Sequence, residues 1–463
     1  MSSRIVKWLL LASVLLIAFP VVAGASTARV QGMGIQGDYV KDYTGVYTYL
    51  SNICCVGNLV YGELGNWDGD TNTNDRAVGA FVNNLWDGKF GVLGIRLSEE
   101  TAQLGQGDAN TPIGAGQDGW DPNSNTEHAF DIMWGKKLGT MSLGLRVNRS
   151  YARIEGDPLI YGGGYYGIFN DIKGDVWHTS GPLDLNYHRN ILGFGAGLGL
   201  ELSPKFNLEG SVLYQARTFE ATDTLYDKNL SGGEQWKNDG SGAYLVALRG
   251  LWQVQPSVLV VPVFKYYNIK ADATGDFVVS ESPVVKFKYT PLEDEVSGWQ
   301  MGLAGNWTLN QNDLFVLGAT FAQNTQTSRT RSVTTDENGD PTAVISSDYK
   351  YTETMMPAIF AALETHVNSW LTLRFGAQQG VFYTWKEENN LVGAKNVTTE
   401  HYSPFEMMLG AGFKLGNLQL DATVNQDFAH NGPYLISGET TGSSNDSAGS
   451  GALFPKVTAT YSF

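Results

Sequence analysis

The last seven residues, V-T-A-T-Y-S-F, alternate without a fault. Val457, Ala459, Tyr461 and Phe463 fall on one side, and Thr458, Thr460 and Ser462 on the other. Period two puts successive side chains on opposite faces of an extended strand, and no helical spacing fits it. The pattern returns along the chain. Leu418, Leu420, Ala422 and Val424 oppose Gln419, Asp421, Thr423 and Asn425, and Met141, Leu143, Leu145 and Val147 oppose Ser142, Gly144, Arg146 and Asn148. Leu371, Leu373, Phe375 and Ala377 oppose Thr372, Arg374, Gly376 and Gln378. Strands with one wholly apolar face need either a second layer or lipid to cover it.

The connections choose between these. Short turns at 138–140, 203–205, 253–257, 309–313, 367–369 and 415–417 alternate with long polar stretches near 99–126, 154–182, 220–240, 271–295, 328–346, 386–398 and 429–452. Tight turns on one rim and long loops on the other predict an all-β, transmembrane antiparallel β-barrel. The spacing gives about 16 strands, with 14 as the alternative. No propeller repeat is present. Aromatic residues flank many segments, among them Trp134, Tyr151, Tyr214, Tyr244, Trp252, Tyr266, Trp299, Trp307, Trp370, Tyr383 and Trp385, where the interfacial girdles of a barrel are expected.

Arg4 and Lys7 followed by the apolar run Trp8–Phe19 and an A-G-A at 23–25 read as an export signal over residues 1–25. The expected organisation is therefore signal 1–25, an N-terminal plug or hatch segment 26–56, and a barrel 57–463 in the outer membrane of a Gram-negative-type bacterium. Mean hydropathy is only −0.18, because lipid-facing and water-facing residues cancel in the average. A formal charge of −16 argues against nucleic acid as a partner. Cys54 and Cys55 are adjacent, a poor geometry for bridging to each other, and are read as small apolar fillers. Partners expected are outer-membrane lipids and lipopolysaccharide, a small solute, and the barrel-assembly machinery, with Tyr461 and Phe463 as its recognition signal. Loss of Phe463 should lower the amount of assembled barrel in outer-membrane fractions, and normal assembly without it would remove that reading.

Residues 26–56 lack strand alternation yet are too apolar for a free tail, so the lumen is their expected place. Gly193, Gly195, Gly197 and Gly199 leave a bare strip of backbone on one inward face, so that either something approaches closely there or the wall bends. Inward positions also carry Arg96, Arg146, Glu201, Arg217, Arg249, Arg374, Gln419 and Asp421. Against this polar background Leu245, Leu251, Leu314, Val316, Met356 and Phe360 form an apolar patch, either a solute route or the packing surface for the N-terminal segment.

Within residues 28–51, A-R-V-Q-G-M-G followed by K-D-Y-T-G-V-Y-T-Y-L-S resembles the amino-terminal hatch of FadL-type outer-membrane channels for fatty acids and other hydrophobic compounds. Arg29, Gly32, Met33 and Gly34 match the family's opening run, and Asp42, Val46 and Tyr47 fall at the distance of its second motif. Tyr49-Leu50-Ser51 stands where that family places Asn-Pro-Ala, and Ile35-Gln36 replaces the end of its glycine run. The resemblance implies a plugged barrel, fourteen-stranded in that family, that passes hydrophobic molecules through the wall or hatch.

The leading expectation is a passive channel for small hydrophobic compounds such as fatty acids. A water-filled porin for polar solutes is the first alternative, and a structural or assembly barrel that binds a partner through its loops is the second. The six histidines are scattered without catalytic or ligand spacing, so no enzyme, cofactor or metal is expected. The acidic turns at 68–75 and 336–340 read as solvated turn chemistry, and a cation-bridged first loop rests on charge pattern alone.

Overall fold

The computed structural model describes residues 26–65, 76–83, 85–98, 104, 128–156, 185–223, 234–238, 241–281, 284–310, 313–335, 341–391, 394–424 and 456–463. The expected signal, the two acidic turns and nearly all of the first and last long connections lie outside these residues.

The strands form sixteen staves. They are β1 (Leu59–Gly65), β2 (Ala77–Val82), β3 (Val92–Ser98), β4 (His128–Leu138), β5 (Met141–Gly156), β6 (Leu185–Ser203), β7 (Phe206–Asp223) and β8 (Glu234–Asn238 and Gly242–Gln255). The round continues with β9 (Val258–Glu281), β10 (Val284–Leu309), β11 (Asp313–Thr335), β12 (Pro341–His366), β13 (Leu371–Gly380 and Tyr383–Leu391), β14 (Ala394–Tyr402 and Phe405–Leu415), β15 (Leu418–Val424) and β16 (Lys456–Ser462). Each stave pairs antiparallel with its sequence neighbour. The terminal alternation closes the circle, from Leu59 opposite Ser462 to Gly65 opposite Lys456. Closure satisfies the backbone of both edges, which an open sheet in lipid cannot do.

Facing follows the alternation. Lys456, Thr458 and Thr460 are buried inward, whereas Tyr461 and Phe463 are exposed on the outside. Val60, Ile95, Leu145, Phe194, Val212, Leu303 and Phe375 continue an exposed apolar band around the wall, far too extensive for water. The chain is thus a transmembrane antiparallel β-barrel of sixteen strands.

Two features depart from the expectation. The stretches 271–295, 328–346 and 386–398 are mostly strand, because β9 and β10, β11 and β12, and β13 and β14 run on as tall hairpins. There the backbone ladder continues although the sequence alternation that marks a strand fades. Second, β12 and β13 each carry one extra residue. Between β11 and β12, Thr320 to Ala322 spans Ala358 to Met355. Between β14 and β13, Phe405 to Tyr402 spans Gln379 to Tyr383. The Met356 N–H bonds to the Phe382 carbonyl at 3.0 Å and the Val381 N–H to the Pro357 carbonyl at 2.9 Å, so the two bulges sit side by side. A bulge reverses facing beyond it. Met356 consequently faces outward, not into the lumen patch, while Tyr383 and Trp385 turn inward, not into the lipid girdle.

Candidate functional site

Residues 26–56 are almost wholly buried, and their partners are inward wall positions. Helix α1 (Thr27–Gly32) is capped by Ser26, whose Oγ accepts the Arg29 N–H at 3.0 Å and donates to Asp421 Oδ2 at 2.9 Å. Three 3-10 turns follow, Gly37–Tyr39, Thr44–Tyr47 and Leu50–Cys55.

Four groups of charges tie this segment to the wall. Arg29 donates from Nε and Nη2 to Glu364 at 2.7 and 2.8 Å, a two-point grip. Glu364 also takes Arg374 at 2.6 Å, and Arg374 passes over Gly412 to reach Asp421 at 2.7 Å. Arg249 holds Glu209 at 2.8 Å and turns Nη1 to the carbonyls of Asp38 and Val40 at 3.1 and 3.2 Å. The Lys265 ammonium lies 2.6 Å from Asp38. Arg146 pairs with Asp131 at 2.6 Å and donates to the Tyr47 carbonyl at 3.1 Å, and Arg96 and Arg146 both lie 5.5 Å from the Tyr47 ring. Each buried cation thus meets a carboxylate, without which its desolvation would not be tolerated.

Close backbone approach supplies the rest. A methyl group at Gly144 would fall on the Leu50 carbonyl, and one at Gly376 on the Met33 carbonyl. The bare strip on β6 is occupied: Leu50 lies against Gly195 and Gly197, and Ser51 against Gly197 and Gly199. Gly193 instead gives room to Asn148 and Gln215. Gly32 meets Gly410 backbone to backbone, and Gly34 turns the chain at φ 58°, a left-handed conformation that glycine adopts without strain.

The hatch-like residues therefore have distinct tasks. Arg29 is an ion-pair anchor, Gly32 and Gly34 allow contact and turning, and Met33 and Val46 are fully buried. The Asp42 carboxylate accepts from Thr44 N and Oγ1 at 3.0 and 2.6 Å and from the Gly45 N–H at 3.3 Å, shaping the second turn. Burial pushes its carboxyl pKa up, opposed by Arg29 and the Thr44 hydroxyl.

The apolar patch divides. Leu251, Val316 and Phe360, with Leu314 beside them, pack on Val30, Met33, Ile35, Tyr39 and Val40. Leu245 belongs to a separate cluster with Leu213, Tyr267, Ile269 and Val296. Glu201 departs from the lumen set: it is exposed at the short-turn rim, 3.3 Å from Lys137. The sequence reading named the arginines and missed the carboxylates Glu364, Glu209 and Asp131. Arg374, Arg249 and Arg96 stand directly opposite them in register, a relation between strands that no single strand's alternation shows.

The wall also carries an apolar cleft. A cleft of about 630 Å³ opens at the long-loop ends of β16, β1, β2, β3 and β4. The outward-facing Leu64, Val78 and Leu97 line it, together with their buried neighbours Glu63, Ala77 and Ser98. Glu63 accepts a hydrogen bond from Thr27, so the first turn of the N-terminal segment lies behind the cleft.

No protein-family model and no curated protein sequence matches the chain. Among solved structures it is similar to the toluene transporter TodX of Pseudomonas putida, at 9% identity and a TM-score of 0.36, covering 94% of this chain and 96% of that one. It is similar also to the ferric yersiniabactin uptake receptor FyuA of Yersinia pestis, at 9% identity and a TM-score of 0.36 over 88% of this chain and 80% of that one.

Proposed function

We propose that the protein is an outer-membrane channel for the passive uptake of small hydrophobic compounds, fatty acids among them, with residues 26–56 as its hatch. The observation that carries this reading is the cleft. Leu64, Val78 and Leu97 line it on the lipid side, and Thr27 of the N-terminal segment bonds to Glu63 on the strand behind it. An apolar solute entering from the long-loop side would leave sideways without crossing water. A general porin has no use for such an exit.

The test uses Gly62, at which an added side chain meets open space. Gly62→Trp should fill the cleft and cut the uptake of oleate and of ethylbenzene to the rate of cells lacking the protein, with a correctly folded barrel. Unchanged uptake by that variant would overturn the lateral route. High ion conductance of the intact protein would favour the porin.

A further inference from the structure

Above the hatch, the lumen presents a face that the channel reading leaves unused. The paired bulges turn it inward, and register then stacks three rows on β12, β13 and β14. The first is Met355, Tyr383 and Tyr402, the second Glu353, Trp385 and Glu400, and the third Tyr351, Glu387 and Thr398. Rings of Tyr383 and Tyr402 lie 4.4 Å apart, and those of Tyr351 and Trp385 5.5 Å apart. Tyr383 and Asn324 lie beside the Glu353 carboxylate, Asn324 directly opposite it in register. The Tyr267 ring crosses the bare backbone of Gly298, and its hydroxyl donates to Asn324 Oδ1 at 3.1 Å. Glu353 thus sits in a built polar–aromatic setting.

Two details separate this face from an ordinary hydrated wall. Glu353 Oε2 and Asn389 Oδ1 are buried acceptors with no hydrogen-bond partner. Leaving such atoms unmet is costly, more so for a carboxylate. Charge is also segregated across the sheet. Among the described side chains at 348–355, 383–390 and 395–402, the inward face carries Glu353, Glu387 and Glu400 and no basic residue. Lys350, Lys386 and Lys395 all occupy outward register positions, the last two each 3.1 Å from Glu388. Unmet acceptors, carboxylates and the partly exposed rings of Trp385 and Tyr402, with no basic residue at these described inward positions, suit a cationic donor.

We propose that this face binds organic cations, namely protonated amines carried on an apolar body. The ammonium N–H groups would satisfy Glu353 Oε2, and the Trp385 and Tyr402 rings would hold the cation and its body by cation–π and apolar contact. The site lies outside the hatch and the cleft, so binding does not depend on passage.

The experiment uses the full chain in detergent, with benzylammonium and its neutral isostere ethylbenzene as probes and calorimetry as readout. Wild type should bind benzylammonium, and Glu353→Gln should weaken it by about 10–100-fold, the range for a hydrogen bond to a charged group. Trp385→Leu should weaken it too, while ethylbenzene should bind alike to wild type and Glu353→Gln. Retained heat-modifiable gel mobility reports a folded barrel. No benzylammonium binding by wild type, or equal binding by Glu353→Gln, overturns the site. Loss of ethylbenzene uptake at the cleft variant with benzylammonium binding intact supports both proposals independently. Absence of any ethylbenzene uptake would sink the channel reading and leave this one standing.

Discussion

Deleting residues 26–56 should convert a nearly silent barrel into a large, ohmic conductor in planar bilayers. A sixteen-stranded wall encloses a lumen wide enough for an aqueous channel when nothing fills it. The segment removed contributes Val30, Met33, Ile35, Tyr39, Val40, Tyr43, Val46, Leu50 and Ile53, all buried against the wall. Its loss would expose buried ion pairs to water and leave the outer apolar band untouched, so the barrel should still assemble. A gentler version keeps the chain whole. Gly376→Leu places a side chain on the Met33 carbonyl, and Gly144→Leu places one on that of Leu50, so either should loosen the segment and raise conductance. A deletion that folds, by its heat-modifiable mobility, yet conducts no more than the intact protein would end the hatch reading.

Arg374→Leu should destabilise the barrel by about 3–5 kcal/mol, the cost of removing one partner of a buried ion pair. Arg374 is 2% exposed and serves Glu364 and Asp421 together. After its removal Glu364 keeps Arg29, but Asp421 keeps only the hydroxyl of Ser26 and the amide of Gln419. The double variant Arg374→Leu/Asp421→Leu should recover most of the loss, since apolar replacements of a buried pair are often neutral or better. Urea unfolding in micelles gives both values. A single-variant loss under about 1 kcal/mol, the range of an exposed pair, would mean that water reaches this network.

The barrel was legible because two independent periods agreed. Alternation marked the strands, and short turns alternating with long connections marked their arrangement. Composition hid both, since a charge of −16 and a mean hydropathy of −0.18 suit a soluble chain. The inward arginines were equally legible, as polar members of apolar-faced strands. Their carboxylate partners needed the register between strands, which alternation within one strand does not contain.

Facing beyond a bulge was not legible by counting. Met356 was expected inside and lies outside, and Tyr383 and Trp385 were expected in the interfacial girdles and line the lumen. One extra residue reverses parity, and whether a stave holds one depends on how many residues its neighbours place opposite. Pro357 was the available warning, because a proline inside a paired strand usually marks a bulge or an edge. The sequence by itself determined the alternating strands, the closing pair at Val457–Phe463 and the need to bury residues 26–56. Tertiary structure alone decided what meets the bare strip on β6, where the cleft lies and which way Glu353 and its rings face. Those are relations between distant strands, and local periodicity carries no information about them.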